Sequence, residues 1–247
     1  MSLYDQLIYE ERGKVARITL NRPAKLNAIT QLLYNEIRHA LSRANVAPEV
    51  EVVVITGAGR AFCAGGDLGE VNEMHKHQRV LDLAIVGDVS SASFRQLESI
   101  DKPIIAMVNG LAHAAGCVLV ILSDIVIASE KASFRFPEAL RGMAEPYAGT
   151  RLAALIGLAR ARYMILTCKE VDAKTAEDWG LIAKVVPHEE LEAETQRTVD
   201  LILETGVNAR IWNKAMINRL LPAWDPRALR TTVSDQRTES GTDRFNT

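Results

Sequence analysis

Backbone N–H groups are the first candidates for chemistry in this chain, because two runs of small residues leave them bare. One run is Ala64-Gly65-Gly66, after a β-branched stretch; the other is Ala114-Ala115-Gly116, inside the apolar stretch Lys102 to Asp124. Small residues at a helix start leave N–H groups without intrahelical acceptors and let a ligand come close. The helix dipole adds to their pull on an oxygen that gains negative charge. Side by side, the two corners would make a two-donor oxyanion hole; apart they are ordinary turns, and the residues alone favour turns.

Spacing excludes other glycine-rich chemistry. Gly57-Ala58-Gly59 follows a strand-like run, but the third Gly of a dinucleotide loop falls on Phe62. A phosphate-binding P-loop fails at Phe62 or Ala64, and no G-x-S-x-G elbow occurs. Cys63 and Cys117 each neighbour a corner, yet neither has a histidine paired with it in sequence, and small buried cysteines are common. Glu73, His75 and His77 are metal-type residues, but helix positions two apart diverge, so they read as a solvated face and no metal site is expected.

The elements that must position these groups follow from pattern. Gln6 to Glu11 and Val15 to Asn21 read as a hairpin around Arg12-Gly13-Lys14. Thr30 is the expected N-cap of an amphipathic helix through Asn45. Val50 to Thr56, Pro103 to Val108, Ile125 to Ala128, Ala132 to Phe136 and Val185-Val186 read as strands. Residues 70–100 have helical spacing, and helices are expected at Leu152 to Ile156, Ala159 to Thr167, Ala173 to Trp179, 188–204 and 207–220. Lys102 to Asp124 is nearly apolar enough for a membrane span, but Asn109-Gly110 and His113 break it into strand, turn and buried helix. The class is α/β, with strands dominating the first half and helices the second.

The 247 residues can bury a sizeable core, and a formal net charge of −2 argues against a broad nucleic-acid surface. The N-terminal segment lacks a long apolar core, and three scattered cysteines suit a reducing compartment, so a cytoplasmic protein is expected.

Four groups of residues then carry a resemblance. Asn21-Arg22-Pro23…Leu26-Asn27-Ala28, Phe62-Cys63-Ala64-Gly65-Gly66-Asp67-Leu68, Lys102-Pro103…Asn109-Gly110…Gly116-Cys117 and Phe136-Pro137-Glu138, with Trp179-Gly180-Leu181 and Val185-Val186-Pro187, closely resemble the crotonase family of enoyl-CoA hydratases and isomerases. The resemblance implies a spiral of ββα units over residues 1–195 and a C-terminal helical trimerisation region over 196–247, assembled as a homotrimer or hexamer. It implies an acyl-CoA thioester substrate, coenzyme A being part of the substrate rather than a separate cofactor. The N–H groups of Ala64 and Ala115 would hold the thioester oxygen, and Glu138 would be the acid/base. Lys25 and Leu26, with Ala64, Gly65, Gly66, Asp67 and Leu68, would hold the CoA portion.

The sequence also departs from the family pattern. Hydratases carry a first glutamate two residues past the Gly116 corner, where this chain has Val118. The usual triple glycine is Ala114-Ala115-Gly116, and the segment from Met143 to Gly149 is one residue short. Hydration needs one group to deprotonate water and another to protonate the α-carbon; moving a double bond needs a single carboxylate. One retained glutamate favours conversion of 3-enoyl to 2-enoyl thioesters. Hydration with a non-standard second acid, thioester hydrolysis, decarboxylation, and non-catalytic acyl-CoA binding are the alternatives. Glu145 is a candidate second acid but reads as a surface carboxylate. His113 is either a pocket residue or a packed, hydrogen-bonded histidine, and Asp67 is expected to organise its own corner.

Overall fold

The hairpin at the N-terminal end forms the edge of a six-stranded sheet. The computed structural model describes residues 3–76, 80–143, 145 and 147–221. In it β1 (Leu7–Arg12) pairs antiparallel with β2 (Val15–Leu20), Leu7 opposite Leu20. The remaining strands are β3 (Val52–Gly57), β4 (Ala61–Cys63), β5 (Ile104–Val108), β6 (Leu111–His113), β7 (Ile125–Ser129), β8 (Ser133–Arg135), β9 (Val171–Asp172) and β10 (Lys184–Val186). The first sheet runs β1-β2-β3-β5-β7-β10 and the second β4-β6-β8-β9. From β2 onward the first sheet is parallel, and only β8 with β9 is antiparallel in the second.

Each circuit of the chain therefore adds a strand to one sheet, a strand to the other, and then a helical segment. β3 and β4 precede α2 (Leu68–Lys76) and α3 (Val80–Ser99); β5 and β6 precede α4 (Ala115–Ile121); β7 and β8 precede a 3-10 turn at Glu138–Arg141. This is the spiral of ββα units. Across residues 70–100 the described residues are helical over Leu68–Lys76 and Val80–Ser99. His77 lies outside the described residues, as does the side chain of His75.

Strands covered on both faces read as continuous apolar runs, which is why Val52 to Ile55 are all buried. One face of the first sheet packs on α1 (Gln31–Val46) through Leu33, Ile37, Ala40, Leu41 and Ala44, spaced three or four apart. Thr30 caps that helix, its Oγ1 accepting the Leu33 N–H at 3.1 Å. On the other face Val52, Val54, Ile105, Met107 and Ile127 meet Leu191 and Val199 of the helix Leu191–Leu203. That helix runs unbroken across residues 195 and 196, so the division expected there falls within an element that covers the sheet. Beyond the second sheet lie Ala153–Ile156, Leu158–Thr167 and Ala173–Trp179, and Val207–Asn218 is the last described helix.

β4 and β6 have only three residues each and were not foreseen as strands. They form because they pair with each other, Ala61 with Leu111 and Cys63 with Ala112. Two buried asparagines hold the connections that feed them. Asn27 Nδ2 donates to the carbonyls of Ala58 (2.9 Å) and Ala61 (2.8 Å), while its Oδ1 accepts the Arg22 N–H. Asn109 Nδ2 donates to Gly59 at 2.8 Å. Motif residues of the Leu-Asn-Ala and Asn-Gly groups thus act as clamps on the β3–β4 turn.

Candidate active site

The two small-residue corners touch. A Cβ built on Gly65, whose φ is +101°, would lie 2.6 Å from Ala114 Cβ, and one on Gly116 would lie 2.3 Å from the Cys63 carbonyl oxygen. Parallel pairing of β4 with β6 brings the corners to the same edge. Ala114 itself has φ 50° and ψ −124°, a conformation that glycine adopts and an L side chain resists.

The donors at this edge are not equivalent. In α4 the Val118 N–H reaches the Ala114 carbonyl at 3.1 Å and closes the first turn, while the Ala115 N–H has no acceptor among the described residues. The Ala64 N–H donates to the Leu26 carbonyl at 3.0 Å. A ligand oxygen would have to share that hydrogen with Leu26.

Two carboxyl groups stand near the corners. Glu138 opens the 3-10 turn after β8; its Oε2 is buried with no hydrogen-bond partner, and burial pushes its pKa to about 7. Glu145 accepts the Tyr147 N–H at Oε1, 2.9 Å away. Burial, and then the charge of Glu138, pushes Glu145 to about 8. The charges of both glutamates help to raise the pKa of the Cys117 thiol and of the Tyr34 hydroxyl, behind burial as the first cause. Glu145 is part-buried rather than fully exposed, and its carboxyl is tied to the Tyr147 N–H. Val118 is fully buried, with no polar atom to offer.

The thiols are unsuited to attack. Burial pushes Cys63 to about 12 and Cys117 well above its ordinary value, so neither supplies thiolate near neutral pH. His113 turns toward the second sheet, its Nε2 3.2 Å from Ser133 Oγ and 3.3 Å from Glu170 Oε2. Asp67 organises its corner, accepting the Gly69 N–H at 2.9 Å and pairing with Arg22 at 2.8 Å. Ile29 pairs with Gly65 and Asp67 through backbone bonds of 2.8 Å, so the loop carrying Lys25 and Leu26 lies against Ala64 to Leu68. Lys25 and Leu68 are exposed there. Tyr34 was not singled out by its sequence, where it is one more residue on the apolar face of α1.

The family model described as enoyl-CoA hydratase/isomerase matches residues 10–236. The chain belongs to this family. A short-chain-enoyl-CoA hydratase of Clostridium acetobutylicum is 36% identical over 217 residues, 87% of this chain and 82% of that protein. A probable mitochondrial enoyl-CoA hydratase of Dictyostelium discoideum is 40% identical over 194 residues, 78% of this chain and 68% of its own. Among solved structures, an enoyl-CoA hydratase from Mycobacterium avium subsp. paratuberculosis superposes with a TM-score of 0.83 at 28% identity, covering 98% of this chain and 93% of that one.

For a member of the enoyl-CoA hydratase/isomerase family, the arrangement can hold a thioester oxygen at the Ala115 N–H. It can also move protons through two carboxyl groups whose pKa values burial raises to about 7 and about 8. Among the described residues no cluster of three or more His, Cys, Asp or Glu could hold a metal ion, and no helix is long and apolar enough to cross a membrane.

Proposed function

We propose that this enzyme reversibly hydrates a 2-enoyl-CoA thioester, with Glu138 and Glu145 as its acid–base pair. The observation that carries the reading is that Glu138 and Glu145 are both part-buried, with pKa values raised by burial and, for Glu145, also by the charge of Glu138. Water adds at C3 and loses a proton to the ionised member of the pair. The electrons move through the double bond onto the thioester oxygen, met by the Ala115 N–H and by the shared Ala64 N–H. The protonated member of the pair then gives its proton to C2, and the oxygen returns to a carbonyl. One donor at such an oxygen is worth about 3 kcal/mol of barrier. The pair needs one proton between its two carboxyls, and raised pKa values near 7 and 8 supply that state close to neutral pH.

The CoA portion of the substrate would lie along Lys25, Leu26 and Ala64 to Leu68. No separate cofactor is invoked, and a cytoplasmic setting is consistent with this use. We also assign oligomerisation to the last described helix and the turn after it, where Trp212 (69% exposed), Met216 and Ile217 on the helix and Leu220 in the turn leave apolar surface open. A homotrimer or hexamer would cover it.

Val118 supports a second reading. With no carboxylate at that position, a single Glu138 could take a proton from C2 of a 3-enoyl thioester and return it at C4. The test is incubation of wild type, Glu138→Gln and Glu145→Gln with trans-2- and trans-3-enoyl-CoA in D2O, with mass spectrometry of the products. The proposal expects a 3-hydroxyacyl product, reduced roughly 100-fold or more by either substitution. Hydration undiminished in Glu145→Gln rejects the pair; conversion of the 3-enoyl thioester that depends on Glu138 alone establishes the isomerase.

A further inference from the structure

The oxyanion corner and Glu138 both hang on a short piece of the second sheet. Ala115 lies two residues beyond the end of β6, and Glu138 lies three beyond the end of β8. These two strands pair only through Ala112 with Phe134 and His113 with Arg135. One more backbone bond follows, from the Ala114 N–H to the Arg135 carbonyl at 2.9 Å. So short a ladder carries few bonds, and Ala114 at its end holds φ 50° and ψ −124°. Such a conformation persists only where the surroundings over-determine it.

Side chains on one face of this sheet supply the additional bonds. Along β6 and β8, Ala112 and Phe134 are fully buried, and His113, Ser133 and Arg135 alternate with them onto the other face. His113 Nε2 lies 3.2 Å from Ser133 Oγ on β8 and 3.3 Å from Glu170 Oε2, at the residue before β9. Arg135 sends its Nε–H to the Cys168 carbonyl at 2.7 Å. Burial lowers the His113 pKa, the Glu170 charge opposes this, and Arg135 adds to the lowering. The ring is therefore neutral near neutral pH. With its hydrogen on Nε2 it offers a donor that both the hydroxyl and the carboxylate accept. Among the described residues the ring bonds neither Glu138 nor Glu145, so it can serve the site only through the strands.

We infer that His113 is a positioning residue: its bonds to Ser133 and Glu170 lock β6 against β8 and so set the Ala115 N–H relative to the Glu138 carboxyl. The chemical step depends on that setting, because a donor helps only where negative charge develops. This deepens the proposed function and rests on its use of Ala115 and Glu138. It applies equally to hydration and to movement of a double bond.

The experiment compares wild type with His113→Leu, which keeps bulk but no donor, and with His113→Gln, whose amide can reach the same two acceptors. Ser133→Ala removes one acceptor and serves if His113→Leu fails to fold. In the full chain labelled with 15N-alanine, Ala114→Gly identifies the Ala114 signal. Exchange of the Ala114 N–H is expected to quicken roughly 10-fold in His113→Leu and in Ser133→Ala, and to return toward wild type in His113→Gln. With trans-2- and trans-3-enoyl-CoA, kcat should fall roughly 10-fold in the same two variants at little-changed KM, and recover in His113→Gln. Unchanged exchange, unchanged kcat, or a loss that glutamine does not restore overturns the inference. Exchange is read without substrate. Absent turnover in wild type, with the exchange pattern intact, would therefore indict the proposed reaction and leave the lock standing.

Discussion

Replacing Glu145 by glutamine isolates what burial of this carboxyl costs the fold. The folded-state pKa is about 8 against an ordinary 4.5, so between those values the folded chain keeps a proton that the unfolded chain has released. Stability therefore falls as pH rises through that window and levels off above it. The full displacement corresponds to a ceiling of roughly 5 kcal/mol at about 1.4 kcal/mol per unit. Glu145 is coupled to Glu138 and partly accessible, which reduces the expected effect to roughly 2 kcal/mol. Glutamine retains a carbonyl oxygen for the Tyr147 N–H and cannot ionise. At pH 5 the wild-type carboxyl is already neutral when folded, and the two proteins should unfold at similar urea concentrations. At pH 9 the variant should be more stable by roughly 2 kcal/mol, an increase of about 1 M in the urea midpoint. Measurements at one fixed protein concentration keep subunit association from entering the comparison. An equal difference at both pH values, or a wild type that gains on the variant as pH rises, would refute the assignment of a buried, neutral carboxyl.

The strained corner and the open helix face give two more tests. Ala114→Gly should raise stability by about 1 kcal/mol, or about 3 °C in Tm, because relief of the φ 50° conformation exceeds the added freedom of the unfolded chain. Gly65→Ala should cost roughly 3 kcal/mol; adding Ala114→Gly should recover the share due to the 2.6 Å Cβ contact but not the share due to φ +101°. A calorimetric cycle showing no coupling between these substitutions would place the corners apart. Sedimentation of wild type should give a trimer or hexamer, and Trp212→Ser with Met216→Ser should shift it toward monomer. A wild-type monomer would remove the role assigned to the last helix.

Much of the fold was legible because it is written in local pattern. The Val52–Ile55 run and the Thr30 cap with its three-and-four spacing each state their element through neighbouring residues. β4 and β6 could not be read in that way, since a three-residue strand has no period and exists only through its partner.

The sequence by itself determined the family, the order of motifs and the loss of a carboxylate at Val118, because these depend on residue identity along the chain. Tertiary structure decided how the site is composed. Contact between the corners comes from parallel pairing of β4 and β6, and the occupied state of the Ala64 N–H comes from the Leu26 carbonyl 38 residues earlier in the chain. Whether Glu145 is a solvated loop acid or half of an acid–base pair depends on how far the folded loop removes it from water and how near it lies to Glu138. Desolvation and Coulomb coupling depend on distances in space, which neighbours in sequence do not specify.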